Sequence, residues 1–307
     1  MWTLFNPLFS VAAGIVNHFQ QPFNISQGGV TPLTSSQYAE FVPYVQFARA
    51  AYCPSNKIEG WQCGDACSAV PGFTPTLTGG DGDDTQYYYV GFWPAQSAVV
   101  VAHQGTDPSQ PGAVLVDVEF RFLSLDPVLF PNIPSGVRVH HGFVKEHKKT
   151  APKILKEVKR LMAENSSTHV ILIGHSLGGA LAELDTLFMK LNLPASTMVR
   201  GVTFGTPRVG NLAWATYFDS QIADFTRMNH NRDIVPIVPG RLLGFRHPKG
   251  EIHIQKDGIA LACLGPDDGV DPQCSDLAVP DVEDGSIPDH NGPYCHNILI
   301  GTEYCTA

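Results

Sequence analysis

A chain of 307 residues with 43% hydrophobic and 16% charged positions can bury the core of one large α/β domain or two modest ones, and this composition excludes disorder and coiled coil. The net charge of −9, with Lys and Arg clustered only along Lys145–Lys159, argues against a nucleic-acid partner. Seven cysteines form no Cys-x-x-Cys pair and no His-Glu-x-x-His is present, so a metal is disfavoured and staples of an oxidised, secreted protein are expected.

In chain order, "MWTLFNPLFSVAAGIVNHF" is apolar without a basic flank. Residues 1–33 therefore read either as a signal-peptide remnant or as a mature N-terminal arm. No apolar run reaches the length of a membrane span. Asn24 and Asn165 head glycosylation triplets, which agree with secretion but occur readily by chance. Residues 34–52 open on Thr/Ser capping candidates and space apolar residues as one helix, and 54–84 reads as loop. "TQYYYVGFW" and "SAVVVAHQG" read as strands, the second buried on both faces. Residues 105–140 are long, Pro-rich and apolar, without a clear element, as expected of a lid. A basic amphipathic helix is predicted over 145–164, a strand over 169–174, a helix over 177–191, a strand over 199–205, a helix near 211–220 and a strand over 224–230. That alternation specifies a mostly parallel sheet with helices on both faces.

The chemistry concentrates at "GHSLG", residues 174–178. A G-x-S-x-G segment that ends a buried strand and opens a helix exposes its serine on a sharp bend, so Ser176 is the candidate nucleophile; the competing reading is a turn serine capping the helix. A serine hydroxyl needs a base, and the base an orienting acid, in the chain order Ser, Asp, His. Asp233, in "NHNRDIVPIVP", is the best acid. Asp219, Asp257, Asp267 and Asp268 lie in a helix or acidic loops. His290 and His296 both compete for the base, while His247 and His253 read as strand or turn residues. For the oxyanion, the Leu177 N–H at a helix N-terminus is one donor and the Gly105-Thr106 loop offers a second.

Together these residues resemble the class 3 triacylglycerol lipase family of fungi. The resemblance spans roughly residues 35–305 and rests on "AAYC", "HQGT", "VHHGF", "GHSLGGALAEL", "TFGTPRVGN", "RDIVP" and "DHNGPY" in order. It implies a single α/β-hydrolase domain over 1–307 with a lid at about 107–120, and a secreted serine esterase acting on acylglycerols at a lipid–water interface without cofactor. By position it implies Ser176, Asp233 and His290 as the triad, and Thr106 with Leu177 as the oxyanion hole. It further implies disulfides Cys53–Cys305, Cys63–Cys67 and Cys263–Cys274, leaving Cys295 free. Lipases restricted to mono- and diacylglycerols and feruloyl-type esterases share the fold, and a silent lipid-binding protein is the rival from another class. Two departures stand out. His103-Gln104 replace the family's Phe-Arg before the oxyanion residue, so the polar support there must differ. The lid segment also lacks the family's tryptophan. For residues 120–130 the lid reading competes with a permanent wall of the core.

Overall fold

A computed structural model describes residues 29–106, 120–265, 267 and 271–305. The arm up to residue 28, the lid expectation over 107–119 and Asp268 lie outside the described residues. The strands are β1 (Thr31–Pro32), β2 (Thr74–Gly79), β3 (Tyr88–Trp93), β4 (Ala98–His103), β5 (Phe122–Leu123), β6 (Val139–His140), β7 (His169–His175), β8 (Met198–Phe204), β9 (Gly210–Asn211), β10 (Asp224–His230), β11 (Phe245–Arg246), β12 (Glu251–Ile254) and β13 (Ala260–Ala262). The helices are α1 (Ser35–Ala39), α2 (Val42–Ala50), α3 (Ser55–Glu59), α4 (Asp65–Ser68), α5 (His141–Glu164), α6 (Leu177–Asn192), α7 (Leu212–Gln221) and α8 (Ser275–Ala278), with short 3₁₀ turns between them.

Nine strands form one sheet in the order β1-β13-β12-β10-β8-β7-β4-β3-β2. Its centre, β4-β7-β8-β10-β12, is parallel. Its margins are antiparallel. The central strands are apolar because both faces are covered: all six residues of β4 are buried, as are six of the seven in β7. One core cluster gathers α2 and the termini against one face, and the other gathers α5, α6 and α7 against the opposite face. On α5 the buried residues Phe143, Val144, His147, Thr150, Ala151, Ile154, Val158 and Leu161 recur at helical spacing, which lays one stripe on the sheet and leaves the lysines to solvent.

Three local expectations change. The single helix predicted over 34–52 is two, because Pro43 stands at the start of α2, where a proline is tolerated only in a first turn. The supposed loop 54–84 contains α3, α4 and β2. Pro75 hides that strand from a sequence reading, yet β2 is an edge strand with a register shift at Pro75/Leu77, the setting that admits proline. Finally, the stretch 120–140 supplies β5 and β6 to a second, four-stranded antiparallel sheet, β11-β9-β6-β5. Within 120–130, Leu125 and Phe130 are core residues while Val128 is exposed. That is the wall reading at those two positions.

Candidate active site

The sheet's parallel strands all point their C-terminal ends to one edge, and the chemistry-bearing residues collect there. Ser176 follows β7 directly and precedes α6, with φ +58° and ψ −128°, a backbone conformation that costs a non-glycine residue of order 1–3 kcal/mol. Its hydroxyl makes no cap bond to the helix, so the turn-and-cap reading does not describe it. The bend is held by the Ser176 N–H donating to the Phe204 carbonyl at 2.9 Å and by Gly179 N–H donating to the Ser176 carbonyl at 2.9 Å. Gly174 and Gly178 make the bend possible. A Cβ on Gly174 would overlap the Gly178 backbone, and one on Gly178 would overlap the carbonyls of His103 and Gln104.

Asp233 lies just past β10, and His290 sits in a 3₁₀ turn, Pro288–Asn291. Fifty-seven residues apart in sequence, they meet through a 2.9 Å hydrogen bond between His290 Nδ1 and Asp233 Oδ2. The other carboxylate oxygen of Asp233 accepts from Val235 N–H at 2.9 Å. His296, the competing base, is exposed and lies against the Tyr38 ring at 5.0 Å. The competing acids are engaged elsewhere: Asp219 accepts from Lys249 N–H, Asp257 from Ile259 N–H, and Asp267 from Arg208. His247 and His253 donate to the carbonyls of Pro236 and Asn231, which buttresses the loop around Asp233.

Several positioning residues carried no signal as isolated letters. His175 Nε2 lies 2.8 Å from the His290 carbonyl oxygen, and Tyr52 Oη lies 2.6 Å from His175 Nδ1. A carbonyl only accepts, so Nε2 carries the proton and Nδ1 accepts from the tyrosine. Burial, followed by the charge of His290, pushes His175 well below its ordinary pKa, which matches that neutral tautomer. Tyr294 Oη also donates to the His290 carbonyl, at 3.0 Å. Next door, Asp289 accepts from Asn231 Nδ2 at 2.8 Å and from Arg232 N–H at 3.2 Å, and its carbonyl accepts from His230 Nδ1 at 3.1 Å. The turn carrying His290 is thereby tied to the loop carrying Asp233. Their sequence trace was membership in the "AAYC", "GHSLGG" and "DHNGPY" segments.

The oxyanion candidates flank the serine on two elements. Leu177 is the first residue of α6, so its N–H has no intrahelical acceptor. Thr106 follows Gly105, where a Cβ would overlap Tyr52 Oη and crowd the Ser176 side chain at 2.9 Å. Glycine thus brings the end of β4 up against the serine. Gln104 turns back to accept from Tyr87 N–H at 2.9 Å, and His103 reaches Asp185 at 2.7 Å. These are the local supports where the resemblance placed Phe-Arg. Among the described residues neither the Ser176 hydroxyl nor His290 Nε2 makes a hydrogen bond; such links commonly tighten only with substrate bound. The only grouping of metal-binding side chains among the described residues is Glu251 with Cys263 and Cys274, and those two cysteines are joined in a disulfide. The implied pairs Cys53–Cys305 and Cys63–Cys67 are present as well, with Cys295 free and buried.

Comparison with known proteins bears on this geometry. Residues 100–243 match the family model described as Lipase (class 3). A secreted mono- and diacylglycerol lipase of Malassezia globosa is 31% identical over 264 residues, which is 85% of this chain and 83% of the relative. Lipase II from Rhizopus niveus superposes with a TM-score of 0.78 at 28% identity, covering 91% of this chain and all of that one. A triacylglycerol lipase whose catalytic centre is a serine protease triad superposes with a TM-score of 0.75 at 26% identity, again over 91% of this chain and all of the other.

Proposed function

The chain belongs to the class 3 lipase family, and from that membership we propose that it is a secreted serine esterase that hydrolyses acylglycerol ester bonds through an acyl-enzyme. The observation that carries the reading is the left-handed Ser176 at the strand–helix bend, together with a His290 imidazole that is bonded to a buried Asp233 and lies 4.4 Å from the ring of His175, the residue before the serine. In this reading Ser176 Oγ attacks the ester carbonyl while His290 Nε2 takes its proton. Asp233 holds Nδ1–H and stabilises the imidazolium. The tetrahedral oxyanion is met by the Leu177 N–H and by Thr106. His290 returns its proton to the departing alcohol, and water then repeats the sequence on the acyl-serine. The same proposal takes residues 1–307 as one domain, since β1 near the start pairs with β13 near the end. Among the described residues no helix is long and apolar enough to cross a membrane.

Replacing Ser176 by Ala is expected to lower kcat on a soluble ester by about 10⁴-fold or more with the fold intact; near-normal turnover would overturn the assignment. Restriction to mono- and diacylglycerols is a second reading, favoured by the name of the Malassezia globosa relative. Parallel assays on tri-, di- and monooleoylglycerol separate the two, and methyl ferulate tests the feruloyl-type alternative.

A further inference from the structure

Asp185 is a wholly buried acid on α6 that the triad does not use. Its Oδ2 lies 2.7 Å from His103 Nε2 and its Oδ1 lies 2.8 Å from His147 Nε2. Both imidazoles are 2% exposed, so the group is sealed from water. One carboxylate therefore joins three elements: β4 through His103, α5 through His147, and α6 through its own backbone. Burial alone would raise this acid, but the charge of His147 and the hydrogen bonds from both imidazoles outweigh it and hold Asp185 at about 2. The carboxylate is thus ionised, with an imidazole donor on each oxygen. Phe130 and Phe188 pack against the His147 ring at 5.5 and 5.3 Å, and Tyr88 lies 6.3 Å from His103.

The location gives this bridge its consequence. His103 is the last residue of β4, three positions before Thr106. Asp185 lies roughly two turns along the helix whose first amide belongs to Leu177. Gly178 abuts the carbonyls of His103 and Gln104, so the β4 tail and the first turn of α6 are in direct contact. The two oxyanion donors proposed above come from different elements, and a hole built that way works only if those elements hold a fixed separation. We infer that Asp185 is a positioning residue of the oxyanion hole: through His103 it sets the end of β4 against the first turn of α6, and His147 holds the carboxylate in place. This rests on the reading of Thr106 and Leu177 as donors.

The experiment compares wild type with Asp185→Asn, His147→Leu and His147→Gln. Active sites are counted by titration with diethyl p-nitrophenyl phosphate, and kcat and KM are measured on p-nitrophenyl butyrate. Butylboronic acid serves as an inhibitor whose tetrahedral adduct presents an oxygen to the hole. Asp185→Asn and His147→Leu should lower kcat per titrated site by ~10-fold and raise the boronate inhibition constant by a similar factor, with KM within twofold. That is a fraction of the 10²–10³ lost when an oxyanion donor is removed outright. His147→Gln keeps an N–H donor and should stay within about threefold of wild type. Should Asp185→Asn fail to fold, the two His147 variants carry the same comparison. A lower melting temperature with kcat per site and boronate affinity unchanged would overturn the inference and leave the cluster a structural clamp. Wild-type protein that neither titrates nor hydrolyses the ester would remove the underlying functional reading, and the inference with it.

Discussion

Glu183 and Asp185 stand two residues apart on α6, both wholly buried, yet their surroundings drive them in opposite directions. Asp185 has an imidazole donor on each oxygen and is held at about 2. Among the described residues Glu183 has one donor, Trp214 Nε1–H at 2.7 Å on Oε1, and no partner on Oε2. Burial pushes it up from 4.5 to about 8, against the lowering effects of the Trp214 bond and Arg227. Between those two values the unfolded chain has released this proton and the folded chain retains it, so stability falls as pH rises and levels off above about 8. Across that window the slope approaches 1.4 kcal/mol per pH unit. Glu183→Gln keeps the acceptor for Trp214 without the ionisation, so its melting temperature should gain on wild type steadily from pH 5 to pH 8. A difference that does not vary with pH would refute the assignment. At this scale the sequence was uneven. Ser176 and Asp233 stood out as candidates because each sits in a local frame, a glycine-flanked bend and a post-strand turn. From the residues alone His290 and His296 were not separable, since the choice depends on which imidazole meets an acid 57 residues earlier; only the family resemblance favoured His290. His175 and Tyr294 showed only as members of the "GHSLGG" and "DHNGPY" segments and Asp185 had no assigned role, because a buried polar side chain takes its role from partners that only the fold supplies.

Element by element, what was legible followed from periodicity. Strands buried on both faces and helices with a single stripe announced themselves, and β10 matches its expected span of 224–230. The misses lie where proline carries a positional meaning that letters alone do not reveal, as at Pro43 and Pro75. Pro152, by contrast, stands inside α5, a helix that the periodicity did predict, on its exposed side. Its ring crowds the Lys148 carbonyl and removes that carbonyl's helical donor. The helix persists because its buried stripe outweighs the local penalty. Proline costs about 3 kcal/mol against alanine in a helix interior, and part of that is offset because it also stiffens the unfolded chain. Pro152→Ala should therefore stabilise the protein by about 1–2 kcal/mol, seen as a higher urea midpoint at unchanged slope. The proposed catalytic residues lie on other elements, and His147, the α5 residue tied to them through Asp185, is buried while Pro152 is exposed, so kcat should not move. A lower midpoint would mean that the proline shapes a bend which the packing of α5 requires.

Over the whole molecule, the order of the parallel strands follows from the alternation of strand and helix, but the closure of the chain on itself does not. β1 pairs with β13, Arg49 donates to the Tyr304 carbonyl at 3.1 and 3.2 Å, and Cys53 is bonded to Cys305 across 252 residues. A cross-link over so long a loop removes chain entropy worth about 5 kcal/mol in the loop-closure model, an upper figure. The C-terminal segment it fastens is also the one that carries His290, so the disulfide has two separable roles to test. Stability should depend on it. Activity should not, because His290 is held by its own set of bonds: Asp233 on the ring, His175 and Tyr294 on the carbonyl, and the Asn231–Asp289 contact beside it. Ile300 N–H, donating to the Asn291 carbonyl at 3.0 Å, closes that turn before the chain reaches Cys305. The double variant Cys53→Ser/Cys305→Ser should thus lose about 3–5 kcal/mol of stability by chemical denaturation. Below its melting transition it should keep kcat per titrated site within twofold of wild type. A fall in kcat well beyond that, in protein still folded by circular dichroism, would show that the terminal clasp helps to aim the histidine.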